Sequence, residues 1–121
     1  MDCLFCKIVN GEIPSKKIYE DDLVISILDI NPNGEGHSLI IPKKHYTDYK
    51  ELPDDLLLHI YKVADKISDK LEGKLHKNSV SFIFNYMDAQ IIKHFHLHVV
   101  PGFGKSINHT QDEVFELMKE D

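Results

Sequence analysis

The stretch His94-Phe95-His96-Leu97-His98 decides how the chain folds around its candidate site. Alternate side chains of a β-strand share one face and lie about 6.6 Å apart. The alternation therefore predicts a strand over 94–100, with the three imidazoles on one face and Phe95, Leu97 and Val99 on the other. A row of imidazoles backed by an apolar wall favours a functional site, and three solvent-facing histidines without a role are the simpler alternative.

Two chemistries suit such a row of histidines. Neutral imidazole is a common zinc ligand. An imidazole nitrogen can also attack phosphorus to form a covalent phosphoryl-histidine, while neighbouring histidines donate hydrogen bonds to the phosphate oxygens. The pattern alone leaves both chemistries open.

The elements around this run are mostly short strands. A helical turn is predicted over 3–9, and strands are predicted over 17–20, 23–28, 38–42 and 80–84. The strands 23–28 and 38–42 should form a hairpin, because the segment between them is rich in Asn, Pro and Gly. Hairpins together with one long helix predict an α+β fold with a mainly antiparallel sheet.

The long helix is predicted over 53–72. Pro53 suits the first helical position, and Gly73 suits the stop. Apolar residues at spacings of three and four give the helix one apolar face: Leu57, Ile60, Ala64, Ile67 and Leu71. A further helix is predicted in the tail, where Thr110 and Glu113 have the spacing of a capping box.

Size and composition restrict the class of protein. The chain has 121 residues, 42% of them hydrophobic and 28% charged, which suits one globular domain. Its net charge of −6 argues against nucleic acid as the main ligand, and no stretch approaches the ~20 apolar residues of a membrane span. The first residues lack the apolar run of a signal peptide, and the only two cysteines lie three apart, so a reducing, cytoplasmic location is expected.

Six sequence blocks occur in the order found in the histidine triad (HIT) family, which the chain resembles over about 3–101. The blocks are Cys3-x-x-Cys6-Lys7-Ile8, Gly11-Glu12-Ile13-Pro14, Tyr19-Glu20-Asp21-Asp22, Asp29-Ile30-Asn31-Pro32, Gly36-His37-x-Leu39-Ile40-Ile41-Pro42-Lys43-Lys44-His45 and His94-x-His96-x-His98. The chain is most similar to the nucleoside-phosphoramidase branch and its bacterial relatives. The uridylyltransferase branch typically has Gln where this chain has His98.

The resemblance implies a fold and an activity. The fold would be a single HIT-like domain over 1–121, with a five-stranded mainly antiparallel sheet, one long helix and short terminal helices, the last in a partly helical tail over 102–121. The protein would be a homodimer. It would hydrolyse or transfer a nucleoside monophosphate from phosphoramidates or dinucleoside polyphosphates through a nucleotidyl-histidine.

The resemblance also assigns residues by position. His96 would be the nucleophile, and His98 and His37 would assist at the phosphate. Asp29 would bind the ribose hydroxyls by charge-assisted hydrogen bonds. The base would lie against a wall of apolar side chains, and two amide side chains match family positions: Phe5, Ile8, Ile13, Leu28 and Ile30 for the wall, and Asn85 and Gln90 for the amides.

The segment before the triad departs from the family pattern. Residues 86–93 are two residues shorter than the usual Gly-rich loop, and Ile91 stands where phosphoramidases tend to have Ser. Isoleucine cannot donate a hydrogen bond to a leaving group. Two alternatives to the enzyme therefore stay open: a nucleotide-binding regulatory or scaffold protein with little turnover, and a metal-dependent hydrolase with its metal at the three histidines.

A structural zinc site is expected near the N-terminus. Cys3 and Cys6 have the two-residue gap that lets both thiolates reach one metal. A zinc-binding subset of the family combines such a pair with the positions of His45 and His94, which would complete a closed Cys₂His₂ site. Two buried thiols or a redox pair are the alternatives. The remaining histidines show no pattern, and surface positions are expected for His59, His76 and His109.

Overall fold

Five strands form one antiparallel sheet in the computed structural model, which describes residues 3–102 and 108–120. The elements in chain order are α1 (Leu4–Val9), β1 (Lys17–Glu20), β2 (Val24–Leu28), β3 (Ser38–Pro42), α2 (Asp54–Leu75), β4 (Val80–Ile83), β5 (Leu97–Pro101) and α3 (Gln111–Met118). The strand order is β1-β2-β3-β5-β4, and every neighbouring pair is antiparallel. The predicted α+β class is confirmed; of the predicted tail, 103–107 and 121 lie outside the described residues.

Both faces of the sheet are covered. Every residue of β2 and β3 is buried, because α2 and α3 pack on one face and α1 packs on the other. On the α2 face, Ile40 and Leu97 join the larger core. On the opposite face, Ile25 and Leu39 pack with Phe5 of α1 in a smaller core. The histidines lie on this second face, since His98 of β5 is paired with Leu39 of β3.

The long helix extends further than its sequence predicts. It continues past Gly73 to Leu75, and His76 then takes a left-handed conformation with φ of 58°. Leu75 is buried in the core, so packing carries the helix two residues beyond the glycine. The buried face also differs in part: Leu57 is only partly buried, and the fully covered positions are Leu56, Ile60, Val63, Ala64, Ile67, Leu71 and Leu75.

The histidine run begins outside the strand that was predicted to carry it. The strand over 94–100 is corrected to β5, which starts at Leu97 and ends at Pro101. The carbonyl oxygen of His94 accepts a hydrogen bond from the ring of His96, and the Phe95 amide donates to Tyr46 O at 2.7 Å. These backbone groups are therefore engaged outside the ladder, although Leu97 and Val99 still lie in the α2-side core.

The short elements at the chain ends have specific caps. The Sγ atom of Cys3 accepts a hydrogen bond from the amide of Cys6 and caps α1. Thr110 and Glu113 form the predicted capping box of α3. Within the described residues, no helix combines the length and the apolar character needed to cross a membrane.

Two glycines fix the connection between β2 and β3, residues 29–37. A Cβ atom at Gly34 would clash with the carbonyl oxygen of Pro101. Gly36 has φ of +87°, and a Cβ atom there would clash with the side chain of Leu71. The connection therefore lies close against β5 and α2, which places Asp29 and His37 at one edge of the histidine face.

Candidate active site and metal centre

A cavity of about 470 Å³ opens on the face of the sheet that carries the histidines. Most of the side chains expected at a nucleotide site line it: Phe5, Ile8, Leu28, Asp29, Ile30, His37, Asn85, His96 and His98. Ile13 lines an adjoining cavity that shares Ile8, Leu28 and Ile30 with the first. The structure thus brings together residues that are up to 93 positions apart in the sequence, from Phe5 to His98.

The nucleophile candidate, His96, presents an unprotonated nitrogen. Its Nδ1 lies 2.9 Å from the backbone oxygen of His94. A carbonyl oxygen only accepts hydrogen bonds, so Nδ1 carries the proton and Nε2 retains its lone pair. Burial lowers the pKa of His96 against the opposing effects of that hydrogen bond and of Asp29, which favours the neutral ring. A neutral imidazole with a free Nε2 is the form that attacks phosphorus.

His37 and His98 have a defined order of hydrogen bonds. The amide of Asn33 donates to His37 Nδ1 at 3.0 Å, so the proton of neutral His37 is on Nε2. That Nε2 lies 3.0 Å from His98 Nδ1, which must then accept, and His98 keeps its proton on Nε2. His98 therefore offers an N–H donor beside His96, whose ring centroid is 5.0 Å away.

Both of these rings stay neutral at pH 7. Burial lowers the pKa of His98 to about 4, with the neighbouring charges of His96 and His37 adding to the effect. Burial also lowers the pKa of His37, although Asp29 opposes it. The carboxylate of Asp29 lies 3.4 Å from His37 Nε2, and its other oxygen accepts the amide of Asn31 at 2.9 Å.

The remaining predicted residues divide between the cavity and its surroundings. Phe5 packs edge-on against His96 with ring centroids 4.8 Å apart, while Ile30 is 88% exposed at the rim. Gln90 lies beside the cavity and is not among the residues that line it. Its amide is buried and donates to the carbonyl of Thr47. Ile91 does line the cavity and is 92% exposed.

A second group of side chains, the thiol cluster, comprises Cys3, Cys6, His45 and His94, as the sequence predicts. One ligand atom from each residue lies within 4.8 Å of all the others. His94 Nδ1 is 3.2 Å from Cys3 Sγ and 3.5 Å from Cys6 Sγ, and His45 Nδ1 is 3.3 Å from Cys6 Sγ. Sulfur and nitrogen ligands of one tetrahedral zinc are about 3.5 Å apart, so the four atoms fit such an ion.

The hydrogen bond behind His94 also suits a metal ligand. Its Nε2 donates to the carbonyl of Pro42 at 2.9 Å, which leaves the lone pair on Nδ1 facing the two sulfur atoms. His94 is completely buried, and burial is the main cause of its lowered pKa. Burial, with contributions from Cys3, raises the pKa of the Cys6 thiol to about 11. A bound cation would stabilise both thiolates.

The three histidines of the run do not converge on one metal. His94 belongs to the thiol cluster, whereas His98 lies with Asp29 and His37 in a second group, here called the aspartate cluster. Among the described residues His96 belongs to neither group. The arrangement therefore gives no support to one catalytic ion held by all three histidines.

Several polar contacts of the fold are not evident from the sequence. Glu35 is only 3% exposed and binds Lys77 and His109. His59 donates to Asp21 at 2.6 Å. His59 and His109, expected at solvated surface positions, are therefore partly buried and paired. The sequence shows Glu35 only as an acidic residue inside a turn-rich segment. Nothing in that pattern indicates a partner as distant as His109.

The fold and the site define the class: a small α+β protein whose His-x-His-x-His run lines a cavity beside a Cys₂His₂ cluster. The HIT domain matches residues 10–105, and the chain belongs to the HIT family. An uncharacterised HIT-like protein of Methanocaldococcus jannaschii is 40% identical over 128 residues, covering 97% of this chain and 98% of that protein.

Two further relatives bear on the site. An adenosine 5′-monophosphoramidase of Candida albicans is 39% identical over 107 residues, covering 82% of this chain and 69% of that protein. The crystal structure of a zinc-bound histidine triad protein from Mycobacterium smegmatis aligns with a TM-score of 0.89 at 33% identity, covering 98% of this chain and 91% of that one. The family thus includes both a named phosphoramidase and a zinc-bound member.

Proposed function

We propose that this protein is a nucleotide hydrolase or transferase that acts on nucleoside monophosphate conjugates through a nucleotidyl-histidine at His96. The substrates would be nucleoside phosphoramidates or dinucleoside polyphosphates. The observation that carries the proposal is the hydrogen bond from His96 Nδ1 to the His94 carbonyl at 2.9 Å. It leaves Nε2 as a nucleophile in a cavity that also holds an N–H donor, His98.

The reaction would proceed in two displacements at phosphorus. His96 Nε2 attacks the α-phosphorus, and the N–P bond forms as the bond to the leaving group breaks with its electron pair. The leaving group takes a proton from water at the open mouth, where Ile91 has none to give. Water then attacks phosphorus and loses a proton to solvent, while the bond from phosphorus to His96 Nε2 breaks and its electron pair returns to Nε2. The nucleotide is released and His96 is restored.

Neighbouring groups would stabilise the charges that develop. His98 Nε2–H donates to a phosphate oxygen, and His37 holds His98 in the required tautomer at 3.0 Å. Phosphorylated His96 carries a positive charge, which the carbonyl of His94 and the carboxylate of Asp29 stabilise. These roles require neutral rings in the free enzyme, and the lowered pKa values of His37, His96 and His98 supply them.

The rest of the cavity suits a nucleoside monophosphate. Asp29 would accept hydrogen bonds from the ribose hydroxyls. The base would lie among the apolar side chains of Phe5, Ile8, Leu28 and Ile30, with Ile13 beyond them, and Asn85 would lie near the phosphate. Gln90 would act indirectly, by holding its own segment against Thr47.

We also propose a structural zinc in the thiol cluster. Cys3, Cys6, His45 and His94 would hold it and so tie α1 to the segment after β3 and to the one before β5. The ion would supply a crosslink. The zinc-bound relative and the four ligand atoms that converge in this chain support this proposal. Two thiols that are not paired in a disulfide also suit a reducing, cytoplasmic location.

A homodimer is a further part of the proposal. The edge strand β4 presents Phe82, which is 49% exposed, and an exposed apolar side chain on an edge strand favours association with another chain. The family resemblance implies that the associating chain is a second copy of this protein. The molecular mass in solution, measured by light scattering, tests this part separately.

One observation favours a second candidate function, a nucleotide-binding regulator with little turnover. The position expected to assist the leaving group is Ile91, whose side chain lines the cavity and cannot donate a hydrogen bond. Binding residues could then be retained in a protein that releases its leaving group slowly. The two candidates predict the same nucleotide affinity and different rates.

Covalent trapping separates these candidates. Zinc-loaded protein is mixed with adenosine phosphoramidate labelled at phosphorus and quenched in alkaline denaturant, in which phosphoryl-histidine is stable. Label should appear in the peptide that contains His96, and His96→Gly should lose it while still binding AMP. Fast turnover without label, or near-normal rates in His96→Gly, would show that water attacks directly. AMP binding without turnover would favour the regulator.

A further inference from the structure

The connection 29–37 carries two candidate site residues, one at each end. Asp29 and His37 are joined by a hydrogen bond from the amide of Asp29 to the carbonyl of His37 at 2.9 Å. The His37 amide donates to Gly34 O at 3.1 Å. Between these points Ile30 and Asn31 are exposed. The position of the Asp29 carboxylate therefore depends on what holds this connection from outside.

One external contact is made by the buried carboxylate of Glu35. It accepts hydrogen bonds from the amides of Asn108 and His109 at 2.7 and 2.6 Å and from His109 Nδ1 at 2.8 Å. Lys77, after α2, donates to its other oxygen at 3.0 Å. Burial alone would raise the pKa of Glu35, but the hydrogen bonds from Lys77, His109 and the two amides outweigh it and lower the pKa to about 2. The carboxylate is therefore charged throughout the neutral range.

A second external contact reaches the other end of the connection. Gln111 is the first residue of α3, and its amide group donates to the backbone carbonyl of Asp29 at 2.8 Å. The helix itself is firmly held: Val114 and Met118 are buried in the main core, and Lys70 of α2 donates to the carbonyl of Met118. Gln111 thus connects a packed helix to the backbone of the residue expected to bind ribose.

We infer that Gln111 and Glu35 are positioning residues, through which the C-terminal segment holds the 29–37 connection and sets the ribose specificity of the Asp29 carboxylate. Gln111 also lines the cavity that adjoins the candidate site, but in this scheme it acts through the backbone of Asp29 and not by contact with the ribose. Glu35 faces away towards 108–109. The inference rests on the proposed function for its ligand. The claim that these two residues restrain the 29–37 connection does not depend on any ligand.

The variant Gln111→Ala tests the inference, and Asp112→Ala is its matched control. Asp112 lies on the same helical turn and loses one contact of similar kind, to Lys16 at 2.6 Å, outside the connection. Two quantities are measured in each variant: hydrogen exchange at the amides of Asp29 and His37, and the affinity for AMP relative to 2′,3′-dideoxy-AMP. Asp29→Ala defines the ligand preference that remains without the carboxylate.

In Gln111→Ala the two amides should exchange faster, and the preference for AMP should fall roughly three- to tenfold, the loss of about one hydrogen bond. Asp112→Ala should match the wild type in both measurements. Glu35→Gln, studied well below its melting temperature, should show the larger loss of the two positioning variants. These results together would support the inference.

Unchanged exchange in Gln111→Ala would overturn it, and so would faster exchange with an unchanged preference. An equal loss for both ligands would show that Gln111 only stabilises the fold. If wild-type protein binds neither ligand, the proposed function fails, while the exchange comparison still decides whether the C-terminal segment restrains the connection.

Discussion

The thiol cluster and the aspartate cluster both contain histidines, but the hydrogen bonds place the ring proton on opposite sides of His94 and His37. Each gathers three or four metal-type ligands whose atoms lie within 4.8 Å of one another. In the thiol cluster a backbone carbonyl takes the outer N–H of His94, and the inner nitrogen is free to bind a metal. In the aspartate cluster a backbone amide donates to the outer nitrogen of His37, and the inner nitrogen carries the proton.

The difference shows that the hydrogen-bond partner on one side of a histidine decides which nitrogen is protonated on the other side. A protonated nitrogen cannot ligate a metal, so the amide of Asn33 disfavours an ion at His37 although two further ligands, Asp29 and His98, are in place. The same amide makes His37 a donor to His98. His96 lies between the clusters and takes its tautomer from the carbonyl of His94, which is also the thiol-cluster ligand.

The largest expected effect follows removal of the thiol cluster. Cys3→Ser combined with Cys6→Ser should abolish zinc binding and lower the free energy of unfolding by about 4 kcal/mol, the linkage for a ligand at a thousand times its Kd. Metal analysis and urea unfolding measure the two effects, with Lys7→Ser on the same helix as the control. A strong chelator should destabilise the wild type and leave the double variant unchanged. Untagged, reduced wild-type protein that carries no zinc would contradict the prediction.

Substitution in the aspartate cluster should instead affect the rate. His98→Ala removes the N–H donor beside His96, and the turnover number should fall roughly 10²- to 10³-fold, the usual loss for one such donor. Zinc content should stay equal to that of the wild type, since His98 is not in the thiol cluster. If His98→Ala loses one zinc per chain while keeping its rate, the two clusters have been assigned the wrong way round.

The sequence predicts the elements better than their ends. The apolar stretch after the turn-rich segment locates β3 correctly at Ser38–Pro42, and the capping box locates α3. The start of β5 is missed, because the carbonyl of His94 binds the ring of His96. The end of α2 is missed because Gly73 predicts that the helix stops there. The burial of Leu75 in the core extends the helix, and this packing is not evident from the sequence.

The sequence predicts many of the side chains that line the cavity, but it does not predict the hydrogen bonds that these side chains make. The family blocks bring His37, His96 and Asp29 to one cavity, as the structure shows. The tautomers depend on backbone groups of Asn33, Pro42 and His94, which the identity of a side chain does not reveal. The contacts of Glu35 with residues 108–109 and of Gln111 with Asp29 join segments more than 70 positions apart, so no local sequence pattern predicts them.

A smaller effect is expected on the free energy of unfolding at acidic pH, and it concerns His98 of the aspartate cluster. The pKa of His98 is lowered by burial from 6.5 to about 4, so between these values the unfolded chain binds more protons than the native one. The corresponding stability is present above pH 6.5 and is lost as the pH falls towards 4. A loss of roughly 1–3 kcal/mol is expected.

Urea unfolding at pH 7 and at pH 4.5 measures this loss, with a chelator present so that metal release does not contribute. His98→Gln should show a shallower dependence on pH than the wild type, because its side chain does not titrate. Parallel curves for the two proteins would mean that the half-buried ring of His98 does not stay neutral in the folded protein, and that the acid response arises in other groups.

The smallest expected effect concerns Ile91, which lies between the two clusters. It lines the cavity of His96 and His98 and also an adjoining one that includes Cys3 and His45. Because it is 92% exposed, Ile91→Ser should change the free energy of unfolding by no more than about 0.5 kcal/mol and should leave zinc content unchanged. A hydroxyl near the leaving group should raise kcat/KM for adenosine phosphoramidate roughly two- to tenfold, the effect of one added hydrogen bond. Ile91→Ala is the control, since it removes the bulk of the side chain without adding a hydrogen-bond donor. An equal gain in both variants would show that isoleucine obstructs the leaving group. No gain in either variant would place the leaving group away from this rim.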